Sequence, residues 1–302
     1  MEIQIPNIEV SAPTELVLVG TLSLLDELKK SDGHIKLNFK GIDNFHPFLL
    51  TIISFYNKIN QQRVEINNIS KELKSYLDKI GFCSNMEFKN NFSSEEILRY
   101  FSNLDFLPIC IFEKKYSLTD QLESILKRKL LHQLKGYYNL TNDFKIAIAY
   151  LISELIDNIK EHSKASHGLI YLDHSDKTNL WIVIADNGIT ILGSYLSQRN
   201  PDPRVLIGIN NVQALEYSLK GVSTKNNRET HRGYGLSTNL DIVTNGLNGD
   251  FSIISGDSLF FKKRGEESLI NLPMNSGWDG TLILIKIPLI NHNDFKYLDY
   301  IE

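Results

Sequence analysis

The sequence predicts a mixed α/β fold (α+β) in two units, on three observations. Up to Gly81, apolar stretches of period two alternate with stretches of helical period, in the order strand, helix, strand, helix. A long amphipathic helix pattern after Thr141 then opens a second series of helices and strands. The chain has 302 residues, more than one average domain.

In order along the chain, Leu16 to Leu22 reads as a short apolar strand, and Ile35 to Phe39 alternates as a second. Pro47 suits the first turn of a helix from Pro47 to Asn60. Val64 to Ile69 is the next strand. Ser70 then caps a helix, Lys71 to Ile80, that stops at Gly81. Residues 84–118 are irregular, and 101–118 are expected to link a first unit (1–100) to a second (119–302). In the second unit, Leu122 to Leu134 reads as a basic amphipathic helix, its charged side a solvated face. Thr141 or Asn142 caps a long helix from Asp143 to about Glu161, with Ile148, Leu151, Ile152, Leu155 and Ile159 on one face. Strands follow at Gly168 to Leu172 and Leu180 to Ala185. A polar connection with short helices spans 189–232, and Tyr234 to Thr244 is another helix. Strands near Phe251 to Ile254, Ser258 to Lys262 and Thr281 to Pro288 end the chain.

Composition narrows the function classes. Hydrophobic content of 42% and charged content of 23% are those of a globular protein. A net charge of −4 argues against a mainly electrostatic nucleic-acid binder. Two cysteines, Cys83 and Cys110, make neither a metal-ligand spacing nor a disulfide framework, which fits a reducing cytoplasm. The start of the chain lacks the features of a signal peptide, and its apolar stretches are too short to span a bilayer. The expectation is a cytoplasmic protein with no membrane partner.

Four segments carry chemistry. Glu154 and Asn158 are four apart, so they share a helix face. An amide oxygen suits Mg²⁺, which keeps waters and phosphates as its other ligands, and a carboxylate one turn away can activate a water. A solvated helix face is the plain alternative. Next, the apolar strand Ile182 to Ala185 ends in Asp186-Asn187-Gly188, where a carboxylate can accept from an amine and Gly188 permits close approach; the same residues also suit a simple turn. Third, Gly233-Tyr234-Gly235-Leu236 precedes a helix, where backbone N–H groups favour a phosphate. Last, Gly280-Thr281 opens the final strand and offers a hydroxyl.

This order of segments resembles the GHKL ATPases, named for gyrase, the heat-shock chaperone, histidine kinases and MutL, over roughly residues 115–290. The resemblance implies a Bergerat-type α/β sandwich with a mixed sheet, binding ATP and Mg²⁺. It gives Asn158 the metal, Glu154 the catalytic water and Asp186 the adenine amino group. Gly188 and Thr281 would shape the adenine end. Gly233, Tyr234, Gly235 and Leu236 would cradle the phosphates, and 189–232 would form a lid. Lys225, with Arg228, His231 and Arg232, would neutralise the γ-phosphate on lid closure, or else form a solvated basic loop. The family's first glycine box often continues to a second Gly; here that position is Thr190.

Within that superfamily, His132 lacks the acidic neighbour of a histidine autokinase phosphoacceptor, whereas Asn158-Ile-Lys-Glu161-His162 is closer to the anti-sigma-factor serine kinases. Residues 35–82 in turn resemble a STAS domain, the fold of those kinases' partners. Where that family places a phosphoacceptor serine, this chain has Phe45-His46-Pro47-Phe48 without a hydroxyl. The expected role is therefore an ATP-gated regulatory switch that hydrolyses ATP, with a serine kinase or sequestering regulator as the alternative. A protein partner would dock through the STAS-like unit or the lid, and a homodimer is compatible with the family.

Overall fold

The computed structural model describes residues 1–31, 33–42, 45–82, 86–88, 106–113, 123–124, 127–128, 140–161, 164–174, 177–198, 205, 207–222, 235–273, 276–289 and 292–301. The architecture is mixed α/β, with two sheets. The smaller sheet is parallel, in the order β1 (Glu2–Gln4), β2 (His34–Asn38), β3 (Arg63–Asn67). Its crossovers are α1 (Thr14–Lys29) and α2 (Pro47–Asn60), and α3 (Lys71–Lys79) follows.

The larger sheet has eight described strands in the order β10-β9-β8-β11-β7-β6-β5-β4. These are β4 (Met86–Phe88), β5 (Phe106–Glu113), β6 (His167–Asp173), β7 (Asn179–Asp186), β8 (Asp250–Gly256), β9 (Ser258–Lys263), β10 (Glu266–Asn271) and β11 (Trp278–Pro288). All neighbours are antiparallel except β4 and β5, so the sheet is mixed. Residues 101–118, expected as a linker, thus contribute the sheet strand β5.

Strand alternation gives the large sheet two buried faces. Ile182 and Ile184 of β7, with Ile283, Ile285 and Ile287 of β11, pack under α4 (Asn142–Glu161), through its Ile148, Leu151, Ile152, Leu155 and Ile159. Leu215 of α6 (Asn211–Leu219) and Leu240 of α7 (Gly235–Asp241) join that core. On the opposite face, Trp181, Val183, Leu282 and Leu284 pack with Leu24, Leu25, Phe48, Leu49 and Phe55 of the N-terminal segment. The two halves therefore share one core. α2 lies within it and buries Pro47 through Phe55 without interruption, the pattern of a helix covered on all sides.

Several expectations need correction. Leu16 to Leu22 is not a strand but part of α1, which buries Val17, Leu18, Thr21, Leu24, Leu25 and Leu28. Those positions follow the helical period, but a seven-residue window hides it. β10 has no apolar alternation because it is an edge strand, exposed except at Leu269. β1 is too short to read by period. The helix expected over Leu122 to Leu134 lies mostly outside the described residues. Two helical fragments of it hold Glu123 and Lys127.

Local signals are otherwise obeyed. Ser70 accepts from Leu73 N–H at 3.1 Å and Thr141 from Phe144 N–H at 3.2 Å, each capping the helix it precedes. Glu123 accepts from Ser153, Lys160 and Lys127 at 2.9, 3.1 and 2.7 Å, which fastens its short fragment to α4. Burial works to raise the Glu123 pKa, but these donors outweigh it and hold the carboxyl below its usual range. Among the described residues, no helix is long and apolar enough to cross a membrane.

Candidate functional site

Sequence-predicted residues that are described meet in two pairs, Asp186 with Gly280 and Glu154 with Gly235. The first pair joins the turn after β7 to the start of β11. Asp186 is 4% exposed and ends β7. Its Oδ1 accepts from Gly188 N–H at 2.8 Å, which closes the turn. Its carbonyl accepts from the indole N–H of Trp278 at 2.8 Å. Gly280 crosses directly beside it: a Cβ there would run into the Asp186 carbonyl oxygen and stand 2.9 Å from Oδ1. Gly280 also has φ +125°, open to glycine at little cost.

Asp186 shares its strand parity with Ile182 and Ile184, and Thr281 with Ile283 and Ile285; these isoleucines pack under α4. Thr281 is half-buried and pairs with Ser255 of β8. Ser255 itself lay outside every sequence signal, since a serine within an apolar strand announces nothing. In the fold its hydroxyl donates to Gly280 O and accepts from Ile191 N–H, both at 2.9 Å. It thereby ties β8, β11 and the start of α5 (Ile191–Leu196) to one point. Thr190, the departure from the glycine box, caps α5 by accepting from Gly193 N–H at 3.1 Å. Asn187 is likewise structural: its side-chain oxygen accepts from Ser166 and His167 N–H at 3.1 and 2.9 Å, holding the entrance to β6.

The second pair joins α4 to α7. Glu154 is half-buried, and its Oε2 lies where a Cβ on Gly235 would stand. Tyr150, one turn earlier, is pushed up to about 12, first by burial and then by the negative charge of Glu154; a hydrogen bond with Thr238 opposes this. Tyr297 rises for the same two reasons, burial before Glu154, and its ring lies 5.8 Å from that of Tyr150. Leu236 is half-buried against the α4 core.

Asn158 is half-buried on the last turns of α4. Its neighbour Ile159 reaches over Gly168, which pairs with Asp186 across β6 and β7; Ile159 Cδ1 lies 3.2 Å from where a Gly168 Cβ would stand. The C-terminal end of α4 therefore overlies the end of the sheet that carries Asp186. Lys225, Arg228, His231, Arg232, Gly233, Tyr234, His132 and His162, together with the Glu161 side chain, lie outside the described residues. The expected lid contains α5 and α6, joined by a small core of Tyr195, Ile209, Ala214 and Val222.

At the N-terminal unit, His46 caps α2 by accepting from Phe48 N–H at 3.3 Å. It is 1% exposed and stands edge-on to Trp181, with ring centroids 4.5 Å apart. The start of that helix faces the large sheet, not solvent. Comparison with protein-family models, with curated proteins and with solved structures finds no match.

Proposed function

We propose that this protein binds Mg-ATP at the α4-facing end of the large sheet and acts as an ATP-gated regulatory switch of GHKL type. One observation carries the reading. Four sequence segments that are individually weak signals meet in pairs, Glu154 against Gly235 and Asp186 against Gly280, each contact running through the space that a Cβ on the glycine would occupy.

In this reading Asp186 accepts from the adenine amino group while Gly188 and Thr281 border the ring. Ser255 fixes the strand ends that shape that border. Asn158 supplies an amide oxygen to Mg²⁺. Among the described residues no group of three or more His, Cys, Asp or Glu could hold a metal, and Mg²⁺ held by one protein oxygen, waters and phosphates needs no such group. Gly235 begins the helix facing the phosphates, with Gly233, Tyr234 and Lys225 before it. Glu154 orients the attacking water and takes its proton. The nucleotide closes the segment 189–232 differently from the empty state, and that difference in contacts moves the equilibrium seen by a partner.

Calorimetric titration of Mg-ATP into wild type and Asp186→Asn tests the pocket. The asparagine keeps an oxygen for Gly188 N–H but removes the charge, so binding should weaken by at least about 1.5 kcal/mol, roughly tenfold or more. No saturable binding to wild type would end the proposal. With γ-labelled ATP, label released to water supports hydrolysis, and Glu154→Ala should abolish it. Label on a second protein would instead support the serine-kinase alternative.

A further inference from the structure

The large sheet ends at β10, and among the described residues no strand pairs with its outer edge. Proteins usually guard such an edge, because its open N–H and C=O groups accept a further strand. β10 lacks the usual guards. It runs in unbroken register with β9 from Glu266 to Asn271 and has no proline within it. Its two acids, Glu266 and Glu267, are drawn back to Lys263 and Lys262 of β9, at 2.9 and 3.2 Å. Ile270 is 47% exposed.

The hairpin decides which groups are open. Lys263 and Glu266 flank a two-residue turn, and such a turn closes on a pair that exchanges backbone hydrogen bonds. Alternation then points the N–H and C=O of Glu266, Ser268 and Ile270 toward β9, and those of Glu267, Leu269 and Asn271 outward. Leu272 N–H, next in the inward series, bonds to Asp257 O at 2.6 Å, as this phase requires. Pro273, next in the outward series, has no N–H and ends the open edge.

The open residues fit their own image. Turned about a two-fold axis at Leu269, β10 meets a second β10 antiparallel. Leu269 then lies opposite Leu269 of the second copy, and Glu267 opposite Asn271 of the second copy. Every open residue is paired, and each pair exchanges two N–H···O bonds. Other registers do worse. An axis at Glu267 sets two carboxylates face to face, and one at Asn271 sets Leu269 against Pro273. Axes at Ser268 or Ile270 leave Asn271 opposite the turn or Glu267 opposite Pro273. In the favoured register Leu269, packed against the α4 core, extends that core to its copy. The Glu267 carboxylate faces an amide donor, and the two Ile270 side chains are diagonal neighbours on the other face. We infer that this chain forms a dimer with a second copy by antiparallel pairing of β10 with β10, which joins the two large sheets into one. The contact needs no nucleotide and stands apart from the function proposed above.

Sedimentation velocity on the full chain should show a concentration-dependent dimer. By NMR, the amide protons of Glu267, Leu269 and Asn271 should gain exchange protection with concentration, while those of Ser268 and Ile270 are protected throughout. Asn271 is exposed, so its variants should keep the wild-type unfolding midpoint. Asn271→Glu sets carboxylates opposite each other at both ends of the pairing and should raise the dissociation constant about fivefold. Asn271→Lys faces Glu267 of the second copy with a cation and should lower it about threefold. Both differences should fade at high salt. Asn60→Glu, the same charge change at the exposed end of α2, should leave the dimer as it was. A chain that stays monomeric at every concentration would leave the edge to some other protein's strand and would overturn the inference. A dimer indifferent to the sign of the charge at Asn271, or equally weakened by Asn60→Glu, would overturn it too.

Discussion

Glycine is required at two places in the site for different reasons, and alanine substitution separates them. At Gly280 an added Cβ meets backbone, the Asp186 carbonyl, and the φ of +125° is strained for any other residue. Neither can relax, so Gly280→Ala should cost about 3 kcal/mol by denaturant unfolding. At Gly235 the added Cβ meets only the Glu154 carboxylate, the far end of a flexible side chain. Gly235→Ala should therefore change stability by less than about 1 kcal/mol, since alanine also favours the helix. It should still displace Glu154, and ATP hydrolysis should fall while the unfolding midpoint holds. Equal stability losses in the two variants would contradict this contrast. Asp186, Gly235 and Thr281 were legible because they stand at or near the ends of elements, and Glu154 because it lies four residues before Asn158 on a long, strongly periodic helix. Ser255 and Trp278 were not, because what matters in them is a partner far along the chain: Gly280 O and Asp186 O.

At the scale of elements, local chemistry fixed the helix ends better than apolar period fixed their identity. Asn210 and Gln213 make a reciprocal capping box at the start of α6, each side chain accepting from the other's backbone N–H, at 2.9 and 3.0 Å. Asn210→Ala should cost about 1 kcal/mol, read as a lowered unfolding midpoint. Because α6 belongs to the segment expected to close over the nucleotide, hydrogen exchange in Ala214 and Leu215 should rise more than in α4. A uniform rise would mean that the segment has no independent stability. The strand at Phe106–Glu113 was missed for a related reason. Pro108 argues against a ladder position, and the register with β6 does slip between Leu107 and Cys110. α1 was misread because its apolar positions declare a period only over its full length. β10 was missed because an edge strand owes little to burial.

For the whole molecule, the shared core sets a limit on how the chain can be divided. Removing residues 1–118 would take away α1, α2 and β5 and bare Trp181, Val183, Leu282 and Leu284 to water. An apolar face of that kind marks an aggregation-prone surface. Such a truncated chain should bind a hydrophobic dye and lose its sharp unfolding transition; a cooperative, dye-free fragment would show that the C-terminal unit stands alone. The halves were read from sequence as separate because each carries its own strand and helix alternation. Periodicity says which face of an element is apolar but not which distant element covers it.

Phe55 stacks on Trp278 with ring centroids 5.8 Å apart, and Trp278 in turn holds the Asp186 carbonyl. The N-terminal unit is thus less a hinged arm than a keystone: its α2 braces the strand end on which the candidate pocket is built. A regulator that grips this unit has no need to detach it. Displacing the Phe55 ring would disturb Trp278, and through its indole N–H the Asp186 carbonyl, so the two halves meet at this one brace.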